Sequence, residues 1–441
     1  MMPEIKQPYV MSWNFGIQRE LGTSNVFEVR YIGNRSVHQW VSQNTNEVNI
    51  FENGFLTEFQ HAQANLAVNA ANGVSNSFAN SGFAGQFALP IMTDAGVGFT
   101  NGTFLNYLRN GRAGEFASSL AGDPFYLCNL IGGANFSPCG SNPGAGYPIN
   151  FFQANPFNAG KGGELMSDVG WGNYHALQVD WRQKYWRGMQ LNVNYTWSHT
   201  LGVQPGNSWT GGFNMFTIRD LRLNYGPTLY DFRHVMHANG TYELPFGKGK
   251  RFANQGGVVD KVVGGWTIGT IATYQSGAPY QLLTNYNSYN GPHDLPISGR
   301  YGDAGVNLIG ITQSDLQSSV GVSPAGTFAN VIGTQYLTSA TNGLANSKYI
   351  TPNTTAGTMG QHPWLFGPRR FFQDLAISKT VPIRENLRFS FQGEFLNVWN
   401  HPVWNSPTGN NVNIQSTGFG HATVITNPGS RQIELRANIE F

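Results

Sequence analysis

Residues that carry chemistry are sparse in this sequence, and their spacing fits none of the common catalytic sites. His234 and His237 lie three positions apart in "HVMH", which on a strand places them on opposite faces, so a shared metal ion is not expected. The stretch "GKGK" at 247–250 lacks the spacing of a phosphate-binding loop. The chain also has no G-x-S-x-G elbow and no H-E-x-x-H helix. We therefore expect no enzyme activity, no metal site and no cofactor.

The two cysteines of the chain, Cys128 and Cys139, lie close together in "CNLIGGANFSPC". Two are too few for a disulfide scaffold or a zinc site. In an oxidising compartment they would close a small loop, which makes them a disulfide candidate; two unrelated thiols are the alternative.

The composition indicates an unusual surface. Charged residues make up 11% of the chain and aromatic residues 13%, with a net charge of +2. Ordinary globular proteins carry about 25% charged residues, so much of this surface faces something other than water or consists of uncharged loops. Lys and Arg are dispersed, and we therefore expect no binding to nucleic acid. No apolar run approaches the length of a membrane-spanning helix.

Apolar and polar residues alternate along many stretches of the chain. The last one, "RQIELRANIEF", sets Ile433, Leu435, Ile439 and Phe441 against a polar side. The stretches "MQLNVNYTWSHT" and "NLRFSFQGEFLNVW" repeat the pattern. If such strands form a barrel, the polar set would face its lumen. These lumen-facing candidates are Gln190, Asn192, Asn194, Arg388, Gln392, Glu394, Glu434 and Arg436.

Two fold classes fit this alternation. Counted along the chain it predicts about nine strands of roughly 10–13 residues, long enough to cross a bilayer when tilted. A soluble sandwich or propeller would have strands of about 5–6 residues and connections of similar length. Here short turns alternate with very long connections, which favours the membrane barrel. Those connections cover roughly residues 35–172, 202–230, 278–368 and 401–429.

The predicted fold is therefore all-β: an antiparallel transmembrane β-barrel portion with very long extracellular loops that contain short helices. Two stretches of the first loop, 55–72 and 106–122, each predict one such helix on the outer surface. The short turns belong on the periplasmic side. The last strand then runs towards the periplasm, and Phe441 lies at the periplasmic rim.

Several longer strings carry a family resemblance. "YDFRHVMHANGTYELPFGKGKRF" is followed by "VVGGWTIGTIATYQSGAPYQL", and later by "ENLRFSFQGEFLNVWNHPVWNSP" and "GFGHATVITNPGSRQIELRANIEF". In this order they resemble the carboxy-terminal barrel of Oar-like TonB-dependent outer-membrane receptors of the acidobacterial type. The resemblance implies uptake of a bulky nutrient across a Gram-negative outer membrane, driven by the TonB complex through a plug domain. It also implies that the terminal strand, with Ile433, Leu435, Ile439 and Phe441, is an assembly signal read by the barrel insertion machinery.

The chain departs from that family in ways that shape the expected partners. We find no signal peptide and no plug in the sequence, and such receptors have barrels of about 22 strands. We therefore expect residues 1–441 to be the carboxy-terminal part of a larger receptor barrel. Its partners would be outer-membrane lipid, the plug and the remaining strands, and indirectly the TonB complex. The alternative to a partial barrel is a divergent complete protein that closes by self-association. The alternative to transport is a surface barrel that acts in adhesion or partner binding.

Overall fold

The computed structural model describes residues 4–134, 137–156, 163–203, 215–290, 303–325, 328–339, 343–384, 387–423 and 429–441. Within these residues nine long strands build one antiparallel sheet. They are β1 Tyr9–Leu21, β2 Asn25–Asn44, β3 Glu164–Trp186, β4 Met189–Gly202, β5 His234–Glu243, β6 Trp266–Gln275, β7 Arg370–Arg384, β8 Leu387–Leu396 and β9 Gln432–Glu440. The all-β antiparallel prediction is confirmed.

Each long strand pairs with its neighbour in sequence, so the sheet is a simple meander. A two-residue strand, Gly226–Pro227, adds to β4. Among the described residues β1 and β9 are the two edges, and no ladder joins them. The sheet is therefore open. Both edge strands leave one row of backbone N–H and C=O groups unpaired with another strand.

Connections of very different length leave the two ends of the sheet. Short turns, such as Gly22–Ser24 between β1 and β2, lie at the end that we call the turn end. Between β3 and β4 the turn is only Arg187–Gly188, with φ of 50° and 88°, a left-handed pair that fits a tight hairpin. The long connections, 45–163, 203–233, 276–369 and 397–431, all leave from the opposite, loop end. Their described residues form what we call the loop layer.

The helices lie almost entirely in the loop layer. The first connection holds α1 Phe55–Ala71, α2 Pro90–Asp94, α3 Gly102–Arg109, α4 Ala113–Gly122 and α5 Pro124–Ile131. At the turn end, α6 Val258–Val263 lies between β5 and β6, and α7 Gln313–Ser318 belongs to the third connection. Among the described residues, none of these helices has the length and apolarity needed to span a bilayer.

Two sequence-based boundaries were wrong. The first long loop was predicted at 35–172, but β2 and β3 remain paired as far as Asn44 and Glu164. The ladder there shifts register between Ser36 and Gln39 and again before Val41. Each shift reverses which side chains face which way, so the alternation breaks although the strands continue. The third long loop, predicted at 278–368, matches the observed connection to within two residues.

The single helix predicted at 106–122 is in fact two helices, α3 and α4, which break at Gly111. This glycine has a φ of 64°, and a Cβ on it would lie 1.7 Å from the carbonyl oxygen of Thr354. Close packing against another loop therefore bends the chain there, and no local helical pattern reveals such a constraint.

The hydrophobic core lies in the loop layer and not in the sheet. The twelve largest fully buried side chains among the described residues all belong to the long connections. They are Phe55, Phe59, Phe78, Phe116, Phe152, Phe216, Phe419, Ile50, Met92, Leu108, Leu120 and Leu130. Their rings interlock: Phe104 stacks on Phe116 at 4.4 Å, and Phe55 meets Phe152 edge-on at 5.3 Å. The predicted short helices thus form the interior of the compact loop layer.

Candidate functional site

One face of the sheet, which we call the polar face, gathers the polar positions of the strands. Directly paired residues of antiparallel strands lie on the same face, so the register traces it from strand to strand. Gln190 pairs with Thr241, which pairs with Gly269, and the row continues through Ala376 and Glu394 to Glu434. The row crosses six strands. The register places all eight residues predicted from the alternation on this face: Gln190, Asn192, Asn194, Arg388, Gln392, Glu394, Glu434 and Arg436.

Several charges on the polar face are paired with one another. Arg182 donates to Glu28 at 3.2 Å and to Asp180 at 2.7 Å, and Asn194 also donates to Asp180. At the other side of the sheet, Arg436 Nε donates to Glu434 Oε1 at 2.7 Å. Exposed pairs of this kind contribute little to stability, because water and salt screen them. They leave a hydrophilic surface without a strong field of either sign.

A cavity of about 540 Å³ opens on the polar face between β4 and β8. Its polar lining includes Gln190, Asn192 and Glu394 from the predicted set. It also includes Asn239, Thr241 and Asp374, which the sequence reasoning did not single out. The alternation could have identified them, because Asn239 and Thr241 occupy alternate positions of β5 that face the same side, and Asp374 occupies such a position in β7. The carboxylates, amides and hydroxyl suit hydrogen bonding to a polar group. The rest of the lining includes the apolar side chains of Ile271, Leu375, Ala376 and Leu396, which offer contact to nonpolar groups.

The opposite, apolar face is largely uncovered. Phe15 is 68% exposed and Leu435 64%, and tyrosine and tryptophan side chains from the other strands extend the same surface. Ile433, Leu435 and Ile439 of β9 lie on this face, opposite Phe395, Gly393 and Phe389 of β8. Phe441 follows β9 and is 97% exposed. Monomeric soluble proteins rarely expose so large a continuous apolar patch, and this one therefore needs a nonaqueous covering.

Buried carboxylates tie the loops of the loop layer together. Glu47, from the first connection, accepts hydrogen bonds from the backbone N–H of Ile218 at 2.7 Å and from Thr217 Oγ1 at 2.9 Å. Burial raises the pKa of this carboxyl despite its donors. Nearby, Arg219 donates to Glu52 at 2.6 Å, and its guanidinium stacks 4.9 Å from the Phe51 ring. The first and second long connections are therefore joined by hydrogen bonds and by an ion pair.

A second junction links the first connection to the third. Glu115 in α4 pairs with Arg112 and accepts the backbone N–H of Asn287 at 3.0 Å. Burial raises the pKa of Glu115, and Arg112 opposes that effect. The N–H of Gly114 donates back to the Asn287 carbonyl at 3.0 Å, and Arg112 lies 4.5 Å from the Tyr286 ring. Separate loops are thereby packed into one body.

The remaining candidate groups have structural partners. The structure joins Cys128 to Cys139 in a disulfide with a Cα–Cα distance of 5.2 Å. His234 lies on the apolar face with its Nδ1 2.7 Å from the hydroxyl of Tyr195. His237 lies on the polar face with its Nδ1 3.3 Å from Thr273 Oγ1. Within the residues that the structure describes, no group of three or more His, Cys, Asp or Glu side chains is placed to hold a metal ion.

Comparison with known proteins gives one extensive match. The family model described as "Outer membrane beta barrel domain" matches residues 1–434. No curated protein matches the chain.

Three solved structures are similar to the chain at low identity. The outer membrane transporter YddB from Escherichia coli is 8% identical with a TM-score of 0.36, over 99% of this chain and 33% of that one. FpvA of P. aeruginosa, in complex with a heterologous pyoverdine and iron, is 9% identical with a TM-score of 0.30, over 97% and 27%. A Pseudomonas aeruginosa FadL homologue is 10% identical with a TM-score of 0.17, over 98% and 66%. The chain thus spans a third or less of the length of the first two.

Proposed function

Since the chain belongs to the outer membrane beta barrel domain family, we propose that it is the barrel portion of a TonB-dependent receptor that takes up a bulky nutrient. Its place is the outer membrane of a Gram-negative bacterium. In such a barrel the apolar face meets lipid and the polar face meets the lumen. The Oar-like strings "YELPFGKGKRF" and "YQSGAPY" support the TonB-dependent type.

The observation that carries this proposal is the polar face of the sheet, which the register follows in one row from Gln190 on β4 to Glu434 on β9. Its members are mostly neutral, and its two carboxylates, Glu394 and Glu434, accept hydrogen bonds from Gln392 and Arg436 of their own strands. A surface of this kind suits a plug domain that must be held by many weak hydrogen bonds and still be displaced. The uptake path would then run along this face, and the loop layer would cover its outer entrance.

The open edges support the need for further strands. In lipid an unpaired backbone N–H or C=O costs several kcal/mol, and β1 and β9 each present a row of them. We propose that additional barrel strands pair with both edges. Those strands and the plug are the partners that this receptor requires.

Site-specific photo-crosslinking tests what covers the polar face. A photoreactive amino acid at Asn192 is expected to crosslink to polypeptide in native outer membranes, namely the plug. The same group at Val193, which points to the apolar face, is the matched control and is expected to crosslink to lipid. Only lipid adducts from Asn192, or none, would contradict the proposal.

Transport itself needs a second measurement. Cells lacking this gene and cells lacking TonB would be compared for uptake of labelled ferric siderophores, oligosaccharides and oligopeptides. We expect the same probe class to be lost in both strains. A class that needs this gene but not TonB would refute TonB dependence, and no loss in any class would count against transport.

A further inference from the structure

The turn end carries an exposed apolar helix that the receptor function does not explain. α6 lies in the connection 244–265 and exposes three valines, Val258 at 77%, Val259 at 46% and Val262 at 63%. In a helix these three positions lie on one side. The helix has only six residues, too few to be stable through its own backbone bonds. Its surroundings must therefore hold it.

Two side chains from the apolar face of the sheet fix α6 in place. Lys379 Nζ donates to the carbonyl oxygens of Val262 and Gly264, both at 2.7 Å, and Trp266 Nε1 donates to the Val262 carbonyl at 3.0 Å. Lys379 and Trp266 are paired across β7 and β6 and lie on the same face as Ile268 and Ile377. The ammonium of Lys379 also lies 4.9 Å from the Trp266 ring. The helix is thus attached to the lipid-facing side of the sheet.

The acidic group of this helix is turned away from the valines. Asp260 Oδ1 accepts the backbone N–H of Lys248 at 2.6 Å, which holds the turn 246–252 against the helix. That turn is tight, because a Cβ on Gly247 would lie 2.7 Å from Gly264 Cα. The exposed charged residues on the turn and the helix are basic: Lys248, Arg251 and Lys261. An apolar side flanked by cations is the composition of a helix that lies in a membrane interface.

We propose that α6 and the turn 246–252 form a lipid anchor at the turn end of the barrel. Val258, Val259 and Val262 enter the phospholipid leaflet, and Lys248, Arg251 and Lys261 bind lipid phosphates. The occupant is lipid because the valines continue the apolar face through Trp266, so the same bilayer that covers the sheet reaches them. Short turns of outer-membrane barrels face the periplasm, which assigns the periplasmic leaflet.

Cysteine accessibility tests the anchor in the chain assembled with its remaining barrel strands. Val262→Cys would be compared with Gln255→Cys, a neighbour in the same connection that is also exposed. The native cysteines are closed in a disulfide and give little background. In vesicles of phosphatidylethanolamine and phosphatidylglycerol, we expect a water-soluble maleimide to label Val262→Cys at least tenfold more slowly than Gln255→Cys.

Equal labelling of the two variants in vesicles would overturn the anchor. Protection in native membranes that is absent from vesicles would assign the surface to a protein partner and would also overturn it. The basic residues need their own variant, Lys248→Gln/Arg251→Gln/Lys261→Gln, in the Val262→Cys background. We expect it to be labelled severalfold faster in anionic vesicles and unchanged in phosphatidylcholine. Equal labelling of both backgrounds in anionic vesicles would refute the binding of lipid phosphates.

Discussion

Buried carboxylates are the most demanding side chains of the loop layer. Glu58 in α1 illustrates the cost and its compensation. Its two oxygens accept the backbone N–H groups of Ile91 and Met92 at 2.9 and 2.7 Å, which caps the start of α2. Burial nevertheless raises the pKa of Glu58, as it does for Glu47 and Glu115. Loss of water thus outweighs the donors at all three sites.

These three pKa shifts have the same sign, and they predict how the loop layer responds to pH. Each of these carboxyls has a folded pKa above the ordinary value of 4.5. Its contribution to stability is fully present below pH 4.5, and it is lost as the pH rises through the folded pKa. We expect the amides of α1 to be more protected from hydrogen exchange at about pH 5 than at about pH 8, after correction for intrinsic rates.

Two single variants provide the controls. Glu47→Gln removes one titrating group and should flatten the pH dependence. Glu52→Gln should not flatten it, because hydrogen bonding to Arg219 lowers the pKa of that exposed carboxyl. Greater protection at the higher pH would contradict the prediction.

At the scale of elements, α4 owes its position to a glycine. A Cβ on Gly114 would lie 2.0 Å from the carbonyl oxygen of Asn290, and backbone cannot give way as a flexible side chain does. The close approach permits the reciprocal hydrogen bonds between α4 and Asn287. One small residue therefore sets the spacing between the first and third connections.

Gly114→Ala is expected to destabilise the loop layer by about 1–3 kcal/mol, the usual cost of overpacking. Gly122→Ala is the matched control in the same helix, since no atom lies within 4 Å of its added Cβ. It should be neutral or slightly stabilising, by up to about 1 kcal/mol. Urea denaturation followed by limited proteolysis of the loops measures both. Similar midpoints for the two variants would contradict this account.

β9 has a second expected role besides pairing with β8. We propose that Ile433, Leu435, Ile439 and Phe441 are read by the barrel insertion machinery. Phe441→Ala should then lower the amount of receptor in the outer membrane more than Leu435→Ala does, although both remove an exposed apolar side chain. Quantitative immunoblotting of membrane fractions from a receptor with its remaining strands measures this. Equal levels would remove any special status of Phe441.

The strands were the most predictable elements because their signal is local. Along most of β4 and β8 the alternation is regular, and it places Asn192 and Gln392 on one face from the sequence alone. The extension of β2 past Ser36 was missed because the register shifts disturb the alternation. The interior of the loop layer was missed for another reason: Glu47 meets Thr217 across 170 residues of chain. No local pattern carries such a contact.

At the scale of the whole molecule, the sheet is a single open layer that encloses no hydrophobic core. Its two faces meet different surroundings, and its edges β1 and β9 have no neighbours among the described residues. The stability of the sheet therefore depends on the surroundings of its faces and edges as much as on the contacts within it.

Expressed alone with an export signal, the chain is expected not to give a stable, heat-modifiable monomer in outer membranes. The reason is the cost of unpaired edge groups in lipid. Gel mobility with and without boiling provides the measurement, and a complete outer-membrane barrel in the same cells serves as the control. A folded monomer whose mobility shifts on boiling would show that the edges close without further strands.

The compact loop layer also bears on how such a barrel protein can change over generations. Loops exposed at a cell surface are commonly the segments most free to vary. Here that freedom is unequal, because phenylalanines such as Phe55, Phe116 and Phe216 are fully enclosed. A phage or an antibody would select for change at the rim, where Phe125 is 60% exposed, and leave the enclosed rings in place. Exposed residues of the loop layer can therefore change while its buried aromatic core and its fold are retained.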